Sequence, residues 1–392
     1  MNWPLMGETI NFFDRLKMAY FALTTNKFTS GVNIKKFESE WSKWLGAKHS
    51  LFVSSGSTAN MLLVAAIKEL YNLQDGDKVL VPACTWVTNV APIFQLGLTP
   101  IFCDINLQNY SFDLEEARKI SEKHKDIKVI FVTHLLGFPA QNEILAKIFP
   151  NALIIDDICE SHGCLDHEGF KYGSRSLGAT FSFYFGHHMT TIEGGMISTN
   201  NTKLYDLMRM KRSHGMSRES ENKERYAQEN KNIDPLFLFM TDGYNFRNHE
   251  ICAVLGLSQL KRLNSMIRKR KENYVDYVNV VNKFPNLFLG HEYVDGNSSF
   301  CFPFICKSEE IANKIKDLFR QNSIEYRPIV SGNLLTQPFL VNKGYKIETD
   351  RNMCNVEMLH TRGLYVGNNH MIGKKHMKNL LNLLEKVNEQ YC

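Results

Sequence analysis

Five short apolar runs punctuate the first half of the chain: DKVLVPACTW (77–86), TPIFCDI (99–105), KVIFVTHLLGF (128–138), ALIIDDICE (152–160) and ATFSFYFG (179–186). Runs this apolar offer no polar face to water, which suits strands covered by helices on both sides, as in a parallel sheet. Between them, STANMLLVAAIKELYNL (57–73) and DLEEARKISEKH (113–124) have the spacing of amphipathic crossover helices. The pattern predicts an open α/β domain with a mostly parallel sheet. The texture then changes: residues 243–284 read as one long amphipathic helix, in which IRKRKEN (267–273) reads as an exposed face. A strand-like SSFCFPFIC (298–306), a helix near 309–321 and a strand SIEYRPIV (323–330) predict a small α+β C-terminal domain. The expected division is residues 1–260 for the large domain with its N-terminal segment, and 261–392 for the long helix and small domain.

The chain's 392 residues suffice for two such cores. Its formal charge of +5 comes from 46 basic and 41 acidic residues scattered along the sequence, without the concentrated basic footprint of a nucleic-acid binder. The N-terminus lacks a basic flank followed by an apolar core, and no stretch approaches 18 uninterrupted apolar residues, so no membrane association is expected and the cytosol is the default compartment. The nine cysteines, at 84, 103, 159, 164, 252, 301, 306, 354 and 392, are odd in number and widely spread, as expected of buried free thiols. None forms a C-x-C or C-x-x-C pair, so ligand spacing for zinc or an iron-sulfur cluster is missing.

Four segments carry candidate chemistry. SSGSTAN (54–60) is a small-residue turn opening a helix, which can cradle a phosphate on its backbone N–H groups or serve simply as a cap. IIDDICESHG (154–163) puts Asp156 and Asp157 at a strand end, where open α/β sheets gather ligands. One of them can hold a heteroaromatic nitrogen protonated, while a helix cap is the plainer role and the one favoured for Asp156. Trp86 offers a ring face for stacking, or is a rim residue. Ser182, in SFYFG (182–186), adds a hydroxyl.

In order and spacing these segments resemble the DegT/DnrJ/EryC1/StrS sugar aminotransferases. Those proteins share the aspartate-aminotransferase fold, the pyridoxal-phosphate-dependent transferase fold type I. The resemblance runs from WPLM (3–6) and SGSTAN through PACTWVTNVAPIFQLGLTPIFCDIN, THLLGFPA, DDICESHG, SFYFGHHMTTIEGGM and RSHGM to GYNFRNHEICAVLGLSQLKRL (243–263). It implies that Gly56, Ser57, Thr58 and Ser182 bind the cofactor phosphate, that Trp86 stacks on the ring, that Asp157 pairs with the pyridine nitrogen and that Glu160 adds a further cofactor contact. It also implies a homodimer, in which the partner subunit's Asn245 reaches the phosphate.

The chain departs from most of the family at one position. The family reads Ser-Phe-x-x-x-Lys, with the lysine forming a Schiff base; here the lysine position holds His187, followed by His188, and no lysine lies between Lys171 and Lys203. Two ordinary loop histidines in an inactive relative would explain this. The retained glycine turn, aspartate and tryptophan argue instead for a working site, because an imidazole is a competent proton carrier near neutrality although it forms no stable aldimine. Histidine here, with EYRPIVSGNLLTQPF (325–339), resembles the subset of pyridoxamine-dependent 3-dehydratases. That resemblance implies a non-covalently bound pyridoxal or pyridoxamine phosphate, a GDP-4-keto-6-deoxy hexose or heptose as substrate, L-glutamate converted to 2-oxoglutarate, and His187 as the base with His188 in support. One branch of the subset uses an iron-sulfur cluster held by a C-x-C pair; Cys301 and Cys306 are five apart, which points to the cluster-free branch. His214, Arg218, Arg247 and Arg327 are candidates for substrate binding, against the plainer reading of solvated or salt-bridged side chains. A nucleotide-sugar aminotransferase working without lysine and a non-catalytic cofactor-binding homologue are the competing functions.

Overall fold

The computed structural model describes residues 2–391 apart from 343, 346 and 348–352. Among these described residues the strands are β1 (His49–Val53), β2 (Lys78–Pro82), β3 (Thr99–Cys103), β4 (Ile127–Thr133), β5 (Leu153–Asp157), β6 (Ala179–Ser182), β7 (Gly195–Thr199), β8 (Cys301–Ile305), β9 (Tyr326–Pro328) and β10 (Gly363–Gly367). The first seven form one sheet in the order β1-β7-β6-β5-β4-β2-β3. Its β3, β2, β4, β5 and β6 run parallel, as the apolar runs predict. The other two were not read from the sequence: β7 lies antiparallel between β6 and β1.

Each predicted strand ends earlier than its apolar run. Pairing in β2 stops at Pro82, yet Ala83 and Cys84 remain fully buried, so Trp86 stands beyond the strand. Apolar character marks burial, and burial continues past the sheet into the loops that form its C-terminal edge.

The helix Gly56–Leu70 is started by a reciprocal capping box, with Thr58 N–H donating to Ser55 Oγ at 3.1 Å and Ser55 N–H to Thr58 Oγ1 at 3.0 Å. The long helix spans Glu250–Val281 and packs tightly on the helix Val32–Leu45: a Cβ on Gly256 would sit 2.7 Å from the Phe37 ring. The reading of 267–273 as an exposed face is corrected here. Ile267, Arg270 and Asn273 are buried, while Arg268 and Glu272 face solvent. Residues three apart fall on one side of a helix, so this charged stretch carries a buried stripe.

The smaller sheet, β8-β10-β9, is antiparallel and is covered by the helices Glu309–Gln321 and Lys374–Asn388. The N-terminal segment is built into it: Trp3 is buried, its indole N–H donates to the Gly367 carbonyl at 2.8 Å, and its backbone bonds Ser323 and Glu325. Among the described residues the thiols are free, most of them buried and Cys354 exposed. Cys392 lies outside the described residues.

Candidate active site

The groups singled out from the sequence converge where β5 and β6 end and the helix Gly56–Leu70 begins. Gly56 lies so close to the β6 terminus that a Cβ would stand 2.7 Å from Ser182 Cβ and 3.1 Å from both Ser182 Oγ and Cys159 Sγ. Only glycine lets the helix start there. The N–H groups of a first turn have no helical acceptor, and Ser57 is exposed beside them, so Gly56, Ser57 and Ser182 form an anion-ready cradle. Thr58 contributes differently from the expectation: its hydroxyl accepts from Ser55 N–H and donates to the Ser55 carbonyl at 2.9 Å, which commits it to the cap.

Asp157 closes β5 and is only 4% exposed. Its Oδ2 accepts from Asn60 Nδ2 at 2.9 Å and its Oδ1 from the Cys159 N–H at 2.9 Å. Asp156 does not cap a helix. No helix follows β5 directly, and the Asp156 carboxylate is fully buried, accepting from Asn142 Nδ2 at 2.7 Å and from the Ser176 hydroxyl and facing His134 Nε2 at 3.3 Å. Glu160 accepts from the Leu136 N–H at 2.9 Å, and burial, with the charge of Asp157 adding to it, pushes its carboxyl up to about 7.

Trp86 is 55% exposed, a large indole face left open. The loop after β9 lies beside it, with Ser331 Oγ donating to the Thr85 carbonyl at 2.8 Å and Leu334 N–H to the Ala83 carbonyl at 3.1 Å. Small-domain residues thus reach the sheet edge that carries the site.

His187 follows the β6 end, and its Nδ1 is buried without a hydrogen-bond partner. Burial, reinforced by the charge of Arg270, drives its imidazole down to about 3, so it is a free base at neutral pH. His188 is fully buried and turned to another partner: its Nε2 lies 2.8 Å from the Ser298 carbonyl and 3.0 Å from Ser298 Oγ. The Phe300 ring stands 5.6 Å from the His187 ring and 6.1 Å from that of His188. Lys171, which precedes the histidines, donates to the Trp44 carbonyl at 2.7 Å.

The remaining candidates fall into two places. His214 Nε2 lies 3.4 Å from Arg247 Nη2, and Arg247 Nε donates to Asn245 Oδ1 at 3.0 Å. This group runs along the β1 end, where Ser54 N–H donates to the Phe246 carbonyl at 2.9 Å. Arg218 and Arg247 both line a cavity of about 890 Å³ with Arg209, Arg212 and Lys48. Arg327 sits apart, exposed on β9 opposite Tyr365.

Sequence reasoning missed Asn60, Ser298, Phe300 and Arg270. Asn60 had a signal, since it falls one helical turn after Gly56 and so faces the same edge; the other three come from distant segments and had none. As a set, a buried carboxylate, a glycine-walled cradle, an open indole face and an unpartnered imidazole fit a phosphorylated pyridine cofactor held without a covalent link.

The chain as a whole is similar to known proteins. Residues 13–385 match the model of the DegT/DnrJ/EryC1/StrS aminotransferase family. The chain is 34% identical to GDP-4-keto-6-deoxy-D-mannose 3-dehydratase of Yersinia pseudotuberculosis over 98% of its length and 99% of the relative's, and 32% identical to that of Escherichia coli O55:H7 over 94% and 95%. The solved E. coli enzyme with bound hydrated PLP superimposes with a TM-score of 0.90 at 30% identity, covering 98% of this chain and 99% of the other. Fold, motifs and near full-length similarity coincide, and the chain belongs to the DegT/DnrJ/EryC1/StrS aminotransferase family.

Proposed function

We propose that this protein removes the 3-hydroxyl of a GDP-4-keto-6-deoxy hexose or heptose. In this reading it uses pyridoxamine phosphate as a loose amine cofactor and L-glutamate to regenerate it. The observation that carries the reading is His187: a free-base imidazole with an unpartnered buried nitrogen, standing where most of the family has its Schiff-base lysine.

Bound pyridoxamine phosphate supplies an amine that condenses with the 4-keto group and a ring that accepts an electron pair. The chain's own groups do the rest. Gly56, Ser57 and Ser182 hold the phosphate, the partner subunit's Asn245 adds to it, Trp86 stacks on the ring and Glu160 faces its substituents. Thr58 acts through the helix cap. Asp157 keeps the ring nitrogen protonated, which makes withdrawal of electrons favourable. His187 takes the proton from the C4′ carbon and returns it to the 3-oxygen as that oxygen leaves as water. His188, fixed on Ser298, supports the loop. Arg218, Arg247 and Arg327 supply cations for the nucleotide diphosphate and the glutamate carboxylates, and His214 adds a hydrogen-bonding imidazole beside Arg247. The dehydrated aminosugar hydrolyses to ammonia and a 3,6-dideoxy-4-keto sugar, a precursor of surface polysaccharide.

Solved structures of GDP-4-keto-6-deoxymannose 3-dehydratase support the substrate classes, because one, of a mutant, contains GDP-perosamine and another holds a trapped PLP-glutamate geminal diamine. No described helix is long and apolar enough to cross a membrane. We place the enzyme in the cytoplasm as a homodimer with shared active sites, and divide the chain at residue 260. A second reading, transamination to a 4-amino sugar, rests on the 26% identity to GDP-perosamine synthase of E. coli O157:H7. Mass spectrometry of products from GDP-, CDP- and dTDP-4-keto-6-deoxy sugars with glutamate separates the two. A 3-deoxy-4-keto product with ammonia is expected, whereas a stable 4-amino sugar selects the transaminase. Absence of repeated glutamate turnover marks a non-catalytic homologue.

A further inference from the structure

Among the described residues Arg270 is a buried cation with no acidic partner. It lies in the middle of the long helix, is 4% exposed, and takes part in none of the ion pairs among the described residues. Its Nη1 donates to two backbone carbonyls, that of Phe300 at 2.8 Å and that of Asn368. A charge withdrawn from water and satisfied only by carbonyl dipoles is costly, so its position calls for a reason.

Its neighbours supply one. Phe300 presents its carbonyl to Arg270 and its ring to His187 and His188, while Ser298, two residues earlier, holds His188. His162 completes a cluster of imidazoles, 6.1 Å from His187 and 5.3 Å from His188 between ring centres, and neither of its nitrogens has a partner. Asn368 ties the same knot to the small domain, its Nδ2 donating to the Arg270 carbonyl at 2.9 Å and to Ser299 Oγ at 3.0 Å.

We propose that Arg270 is a positioning residue for His187: by gripping the carbonyls of Phe300 and Asn368 it fixes the segment whose Phe300 ring packs on both histidines, and it sets a buried positive charge beside them. This rests on the dehydratase reading above for its purpose. The titratable groups facing Arg270 come from four elements: His162 after β5, His187 and His188 after β6, Cys301 opening β8, and His370 after β10. The carboxyl of Glu160 faces Cys301. Burial is the larger cause of the lowered proton affinity of all four histidines, and Arg270 adds to it in every case. A buried positive charge acts over such distances because little water screens it.

The test reads His187 without turnover. Carbethoxylation by diethyl pyrocarbonate follows the free-base fraction, and peptide mass spectrometry assigns the label to His187, with His187→Asn as the blank. In the wild-type holoenzyme the rate should stay nearly flat from about pH 8 down to about pH 4, because burial and the charge of Arg270 together hold the imidazole at about 3 whereas one of ordinary affinity would lose nearly all its reactivity over that span. In Arg270→Met it should fall roughly twofold or more over the same range, and in Arg270→Lys, which keeps the charge, it should remain flat. Should Arg270→Met fail to fold, Cys301→Asp places a carboxylate against the intact guanidinium and should produce the same fall. A wild-type rate that drops with a midpoint near 6.5, or charge-removing variants as flat as wild type, overturns the proposal. Failure of the dehydratase reading alone would appear as inactivity on every nucleotide sugar with this titration unchanged.

Discussion

Asn60 holds Asp157 in place: its Nδ2 donates to Asp157 Oδ2 at 2.9 Å, and its Oδ1 accepts the Thr180 hydroxyl at 2.6 Å, which fixes which way the carboxamide faces. The carboxylate is thus oriented from the helix Gly56–Leu70 and from β6 together. A hydrogen bond to a charged group contributes about 1.5–3 kcal/mol, so Asn60→Ala should weaken cofactor binding roughly 10- to 100-fold. Asp157→Asn should cost more, because it removes the charge that holds the ring nitrogen protonated. Titration of the cofactor by absorbance checks both; equal affinity in Asn60→Ala would remove Asn60 from the site.

Gly56→Ala tests the cradle. Its methyl group would be forced against Ser182 Cβ and Cys159 Sγ, so the helix start must move away from β6. Overpacking of this kind costs about 1–3 kcal/mol of stability. The cofactor should lose affinity for its phosphate end while pyridoxal without phosphate is affected less. A variant that binds both forms like wild type would place the phosphate elsewhere.

Glu160 gives the stability profile a sign. Its carboxyl is raised from the ordinary 4.5 to about 7 in the folded chain, so between those values the native state holds a proton that the unfolded state has lost. Unfolding free energy then falls as pH rises through that window. Cofactor-free protein should therefore melt at progressively lower temperature from about pH 5 to about pH 7, and Glu160→Gln should flatten the slope. Thermal scans across pH decide it, and identical slopes would show that Glu160 ionises normally.

Much of this was legible in the sequence because local signals and tertiary roles coincide. The predicted helix near 309–321 matches Glu309–Gln321, where apolar spacing and a Ser308 cap agree. The five parallel strands carry unmistakable apolar runs. By contrast, β7 begins with Gly195 and contains Ser198 and Thr199, a composition that reads as a turn and becomes a strand only through pairing with β1 and β6. Arg270 was hidden for a related reason: IRKRKEN is charged enough to look solvated, and only contact with residues 300 and 368 shows which of its positions points inward.

The two adjacent histidines should separate cleanly under mutation, since the structure gives them unlike surroundings. Nδ1 is unpartnered in both, but His187, beside the β6 end, makes no other side-chain hydrogen bond among the described residues, so His187→Asn should leave stability nearly unchanged and remove the proton transfer, with a rate loss of roughly 10²–10⁴-fold. His188 is buried and bonded to Ser298, so His188→Ala should instead leave the buried Ser298 carbonyl without this donor and cost about 1–3 kcal/mol of stability. Denaturant unfolding paired with single-turnover loss of the 3-hydroxyl checks the contrast. If His188→Ala folds as well as wild type but is the slower of the two, the base is His188 and the assignment of His187 falls.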